Sequence, residues 1–237
     1  TVSSSKENIP NQSSTSPFNL NIRTGSATVT FGGTVGAQDF GGGLTTTDLG
    51  SLTIESTGEV KAILDDSVSL PFTITTVAPE TLPEDAPKGI NILADSIDFS
   101  NANLEAEIVN LEATDDINTA SITATEEDIT LDSATGSIDT SEGTLTATQG
   151  DVNLTANEGD MTTADIEVTE GEVNLTATQG SVTTANVEAP TVNIQANNDI
   201  NTASVTATAF DITLNSQTGS IDTSEGTLTA TQGAVHL

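Results

Sequence analysis

The sequence predicts an all-β protein: a right-handed parallel β-helix solenoid with rungs of about 20 residues and an 83-residue superrepeat. Three observations predict it. A Val/Ile–x–Leu/Ile–x–Ala/Ser strand motif recurs at near-constant spacing. A longer block of sequence occurs twice. The apolar residues are small or branched, with six Phe, no Tyr and no Trp, which suits the narrow core of a solenoid better than the wide core of a sandwich.

The motif starts at Ile90, Val109, Ile129, Val152, Val173, Val192, Ile212 and Val235. The successive spacings are 19, 20, 23, 21, 19, 20 and 23. The series 19, 20, 23 recurs after the 21-residue rung, and this generates the superrepeat. Asp116–Gly150 and Asp199–Gly233 align without a gap and agree at 30 of 35 positions. In Val152-Asn153-Leu154-Thr155-Ala156 the apolar residues occupy alternate positions, so they share one face of a strand while Asn and Thr share the other. Gly, Asn, Asp and Ser separate the motifs and mark bends. Helix is excluded by the period of two and by the abundance of Thr, Val, Gly and Asn. Six or seven rungs stacked at strand spacing predict a rod of roughly 30 Å. The outward residues Asn110, Thr130, Asn153, Asn174, Asn193 and Thr213 should form a ladder that supports the parallel sheet, with His236 taking the next place in it.

The chain divides into three parts. Residues 1–17 are polar and read as a linker or an added strand. Residues 18–87 read as less regular β-rungs, with strand patterns at Phe18–Ile22, Ala27–Phe31, Ser51–Glu55 and Leu70–Ile74. Pro71 places the last of these toward a sheet edge. A Gly-rich excursion through Gly41–Gly43 and a Pro- and acid-rich loop over Ala78–Pro87 interrupt this part. Residues 88–237 read as the regular β-helix, expected to be one segment of a longer chain.

Charge limits the function classes. The 237 residues carry 35 acids against Lys6, Arg23, Lys61 and Lys88, a formal net charge of −31. Such a surface repels nucleic acid and anionic lipid. No apolar run is long enough to insert into a membrane as a helix. The chain has no Cys, so disulfides and thiol chemistry are excluded. An enzyme is not expected. Neighbouring acids such as Glu126/Glu127 point to opposite faces of a strand, whereas glycoside hydrolysis needs two carboxyls at a set separation. A lyase for acidic sugars would want Lys or Arg, and none follows Lys88. The Thr144/Thr146/Thr148 and Thr227/Thr229/Thr231 sets would suit an ice-ordering face only if they recurred in every rung, and they do not.

Oxygen-rich turns could hold a hard cation, Ca²⁺ being the one they would take. The candidates are Asp115, Asp116 and Asn118 with their copies Asp199 and Asn201. No calcium-loop signature accompanies them, and a solvated acidic surface is the plainer reading.

The phrases GDVNLTANEGDM, GEVNLTATQGSV and DITLDSATGSID, with ATVTFGGTVGAQDFGGGLTTTDLGSLTI upstream, resemble the filamentous haemagglutinin-type exoproteins of bacteria, in their repeat-rich, cyanobacterial-like form. These are long β-helical adhesins secreted through an outer-membrane partner. The resemblance spans Ala27–Ile54 and Gly89–Leu237 and implies a secreted or cell-surface, non-enzymatic structural or adhesive filament segment. It implies an outer-membrane secretion partner and contacts with surface glycans or matrix. It carries no active-site residue, and the Asn-Pro-rich motif of the family's secretion domain is missing here. Along the rod the expected neighbour is either more of the same polypeptide or an identical subunit end to end. The second case makes a self-polymerising sheath or matrix protein, with Ca²⁺ bridging between rods. A carbohydrate-active β-helix is the third alternative.

Overall fold

The computed structural model describes residues 18–31, 49–62, 72–76 and 89–237. Among these residues the strands pair in parallel and form three sheets of ten, nine and eight strands. The chain visits the sheets in a fixed order. Val152–Ala156 lies in the first sheet, Met161–Thr163 in the second and Ile166–Val168 in the third, after which Glu172–Ala177 returns to the first. The winding is right-handed, the hand that parallel crossovers adopt almost without exception.

The eight motif starts stack on one another. Ile90 pairs with Val109, Val109 with Ile129, Ile129 with Val152, Val152 with Val173, Val173 with Val192, Val192 with Ile212 and Ile212 with Val235. Unequal rung lengths therefore do not disturb the register; the corners absorb the extra residues. The earlier segments extend the same sheets. Leu52 pairs with Ile90, Val60 with Ile97 and Ile74 with Leu104. The strand expected from Ala27 begins at Val29, and the one expected over Leu70–Ile74 occupies Phe72–Thr75, last in the third sheet among the described residues. Thr1–Pro17, the Gly41–Gly43 excursion and the Ala78–Pro87 loop lie outside the described residues.

Alternation puts one apolar face inward in each sheet. Val152, Leu154 and Ala156 are buried while Asn153 and Thr155 stay partly exposed, and the pattern repeats in Val173, Leu175 and Ala177. No rung could bury these residues alone; the rungs above and below cover them, which is why such a core exists only as a stack. Outside the core, the asparagine ladder forms as its spacing predicts. Asn110 Nδ2 donates to Asn91 Oδ1 at 2.9 Å, Asn174 to Asn153 at 3.0 Å and Asn193 to Asn174 at 3.0 Å.

Corners bring backbones of successive rungs into contact. Gly89, which opens the rung of Ile90, has φ +67 and faces the Ile108 carbonyl so closely that a Cβ would overlap it. Glycine is required there both for the left-handed conformation and for the approach.

Candidate functional site

Most corner aspartates among the described residues are held by the fold itself. Asp116, Asp128, Asp151, Asp160, Asp165, Asp199 and Asp211 each stand immediately before the first buried residue of a strand. Each carboxylate accepts the N–H of the equivalent residue one rung on. Ser137 donates to Asp116 at 2.8 Å, Asp151 to Asp128 at 2.8 Å, Glu172 to Asp151 at 2.7 Å and Ser181 to Asp160 at 2.8 Å. Asn186 donates to Asp165 at 3.1 Å, Ser220 to Asp199 at 2.8 Å and Ala234 to Asp211 at 2.7 Å. At the corners the amides have no strand partner, and the aspartates supply one. A short side chain ending in an acceptor is what this reach requires. The sequence signal was the Asp-Ile, Asp-Val and Asp-Met pairs at strand starts, which reasoning from composition read as surface charge.

The five candidate cation ligands are distributed accordingly. Asp116 and Asp199 are corner caps, in corresponding rungs of the two superrepeat copies. Four rungs separate them, about 19 Å at strand spacing, so they cannot share an ion. Asp115 is exposed and donates its own N–H to the Asp95 carbonyl at 2.7 Å. Asn118 and Asn201 point outward from the second sheet. Among the described residues no three carboxylates or imidazoles converge on a point that could hold a metal ion.

The backbone N–H of Ser220, and then its hydroxyl at 2.9 Å, hold the Asp199 carboxyl below its ordinary value of 3.8. Ser224 lowers Asp222 in the same way. A depressed carboxylate stabilises the fold at pH above 3.8 and loses that contribution as pH falls through its folded value. We therefore expect the Asp199 carboxyl carbon, followed by NMR, to titrate below 3.8. Ser220→Ala should move it part of the way back, because the backbone donor remains. A midpoint at or above 3.8 in the parent protein would show that the corner contact is not made.

A different surface is set apart by the comparison of the two superrepeat units. Most core positions persist between them, but eight acids of Ile90–Gly150 have no acidic counterpart in Val173–Gly233, Asp95 and Asp98 among them. At equivalent positions of the two units, Glu107 becomes Pro190, Glu112 becomes Gln195, Asp115 becomes Asn198, Glu126 becomes Ala209, Glu127 becomes Phe210 and Asp132 becomes Asn215. The structure gathers these positions. Gln195 and Asn215 are paired neighbours on the outer face of the first sheet. Pro190, Ala209 and Phe210 meet at the corner leading into that sheet, where the N–H groups of Ala209 and Phe210 reach the Pro190 carbonyl at 3.3 and 2.9 Å. Phe210 is 63% exposed.

Two outward columns of the first sheet run side by side from Asn153 to Asn215. One holds Asn153, Asn174, Asn193 and Thr213, the other Thr155, Thr176, Gln195 and Asn215, with no charge among them. Glu172 stands at their margin, in the column before the strand starts. In a chain of net charge −31 this face is where another surface can approach without meeting a row of carboxylates. At strand and rung spacing it covers about 17 by 19 Å. The Thr sets considered for ice do not build a comparable lattice. Thr146 stacks on Glu167, and Glu167 on Glu188, in the third sheet.

No family model matches the chain, and no curated protein or solved structure matches it. No helix among the described residues is long and apolar enough to cross a membrane.

Proposed function

We propose that this chain is a rigid, non-enzymatic segment of an exported, cell-surface filament, and that it adheres through the uncharged face of its first sheet. The observation that carries this reading is the asymmetry between the duplicated units. Most of their core positions are kept while eight acids are lost, and six of these, from Glu107 to Asp132, gather on one side. Losing stacked carboxylates such as Glu112 and Asp132 relieves repulsion between rungs, but that relief favours no one side of the rod. A contact face does favour one, because each carboxylate brought against another surface has to be desolvated. The face offers rows of amides and hydroxyls with Phe210 beside them, which suits a hydroxyl-rich, uncharged partner such as a neutral glycan. Its area of roughly 300 Å² is small for a stable protein interface, so a contact of this kind is weak singly and strengthens by repetition along a filament. Secretion and adhesion by a β-helical rod also agree with the resemblance of the repeat phrases to haemagglutinin-type exoproteins.

Retention of the purified chain on immobilised neutral polysaccharides and on intact producing cells tests the face. Restoring the acids of the first unit, with Gln195→Glu, Ala209→Glu, Phe210→Glu and Asn215→Asp together, should lower retention roughly tenfold while leaving the β circular dichroism unchanged. Equal retention would remove this face from adhesion. Antibody labelling of unpermeabilised cells tests the location separately, and label that appears only after permeabilisation would end the surface-filament reading.

A further inference from the structure

The second sheet hides a column of hydroxyls. Its strands end, rung after rung, on an inward threonine: Thr119, Thr140, Thr163, Thr184 and Thr202, which are between 0 and 4% exposed. Thr140 pairs with Thr163, Thr163 with Thr184 and Thr184 with Thr202, so the side chains stack directly. The hydroxyls of Thr119, Thr140, Thr163 and Thr202 are fully buried with no protein partner; these are four of the seven such groups among the described residues. Thr184 makes one long bond, 3.3 Å to the Ala185 carbonyl.

Chemistry makes this arrangement hard to explain as packing. Valine has the same shape and carries no desolvation penalty, whereas a buried, unbonded hydroxyl is costly. The equivalent inward positions of the other two sheets are mostly alanine, as in Ala156, Ala177 and Ala196 or Ala147, Ala189 and Ala207. Where serine takes the place of that inward alanine in the regular rungs of the first sheet, the hydroxyl is satisfied. Ser133 donates to the Asp115 carbonyl at 2.7 Å and Ser216 to the Asn198 carbonyl at 2.6 Å. A run of such threonines occurs at this corner alone among the described residues, Thr76 at the end of the third sheet being a single further case, and its members are too far apart to bond one another at the strand spacing of about 4.8 Å.

That spacing does fit a bridge. An oxygen placed about 2.8 Å from each of two hydroxyls about 4.8 Å apart subtends an angle of about 118°, close to the tetrahedral preference of water. Small residues follow the threonines in the turn, namely Ala120, Ser141, Ala164, Ala185 and Ala203, which keeps side-chain bulk away from the column. At one end the column meets Phe99, the fully buried register partner of Thr119, which seals it with an apolar ring.

We propose that the threonine column from Thr119 to Thr202 binds a single file of water molecules, each bridging the hydroxyls of adjacent rungs. The file is an internal hydration site that ties five rungs together along the rod axis, in addition to the strand hydrogen bonds.

A crystal structure of the chain at about 1.5 Å, with thermal unfolding of Thr163→Val and Thr163→Ser, tests it. The expected result is discrete density within hydrogen-bonding distance of successive hydroxyls and a fall of about 2–4 °C in the melting temperature of Thr163→Val, since its neighbouring waters lose a partner. Thr163→Ser, which keeps the hydroxyl, should keep the density at its rung. An empty column in the parent density overturns the proposal. A rise in melting temperature for Thr163→Val does so independently, because it means that a dry, unbonded hydroxyl has been removed.

Discussion

Phe99→Ala should destabilise the protein by about 3–5 kcal/mol, the range for truncating a buried aromatic ring without refilling its space. Phe99 is fully buried, and its ring lies 6.1 Å from that of Phe31, centroid to centroid, with the planes tilted at 46°. The two rings belong to rungs separated by the rung of Ala62. Val60 pairs with Ile97 and Lys61 with Asp98, so Ala62 occupies the level between Phe31 and Phe99. A small residue between two large ones lets the rings close over it. Removing Phe99 leaves a void beside Ala62, and neither neighbour has the volume to fill it. Chemical unfolding monitored by circular dichroism would measure the loss. A change under about 1 kcal/mol would mean that the early rungs are not packed on the regular ones as described. Phe99→Leu retains most of the volume and should recover much of the loss.

Gly159→Ala should cost about 1–3 kcal/mol, although the substitution adds a single methyl group at the surface. Gly136, Gly159 and Gly180 occupy equivalent corners in successive rungs. A Cβ on Gly159 would overlap the Gly136 carbonyl, and one on Gly180 would overlap the Gly159 carbonyl. The obstacle in each case is backbone, which cannot turn aside as a flexible side chain can. Relief requires the rungs to separate locally, which weakens the strand bonds on both sides of the corner. Gly25→Ala is the control. Its Cβ meets nothing within 4 Å, so it should shift stability by only a few tenths of a kcal/mol. Equal effects at the two sites would show that rung contact at the corners is not what demands glycine.

Both substitutions act on features with different visibility in the sequence. The glycines recur within the superrepeat and could be seen as corner markers, but their mutual contact depends on rung stacking. The stacking of Ile90, Val109, Ile129 and the later motif starts was legible, because a period of two inside each motif and a near-constant rung length admit few three-dimensional solutions. The asparagine ladder was legible for the same reason: equal positions in equal rungs must be neighbours. The aspartates were not. Asp116 and Asp199 drew attention as possible cation ligands because they sit among other polar residues in the chain. Their partners, the N–H groups of Ser137 and Ser220, are a full rung away along the chain and become near only when the rungs are wound.

The proposed contact face was hidden differently. Its two columns come from every other residue of strands spread from Val152 to Ser216, and Phe210 joins them only through the corner. The duplicated sequence already held the clue, since six of the eight lost acids lie between Glu107 and Asp132 in the first unit. What they share is a side of the rod, which has no counterpart in linear order.

The sequence by itself determined that the chain forms parallel strands, in rungs, with a narrow apolar core, because alternation and repetition act locally and between neighbours. Only the tertiary structure decided which polar groups are caps, which form an outward ladder, and which are hydroxyls enclosed with no protein partner. Those roles depend on what one rung presents to the next: an amide at a corner, a carbonyl beneath a glycine, or a second threonine about 4.8 Å away at the strand spacing.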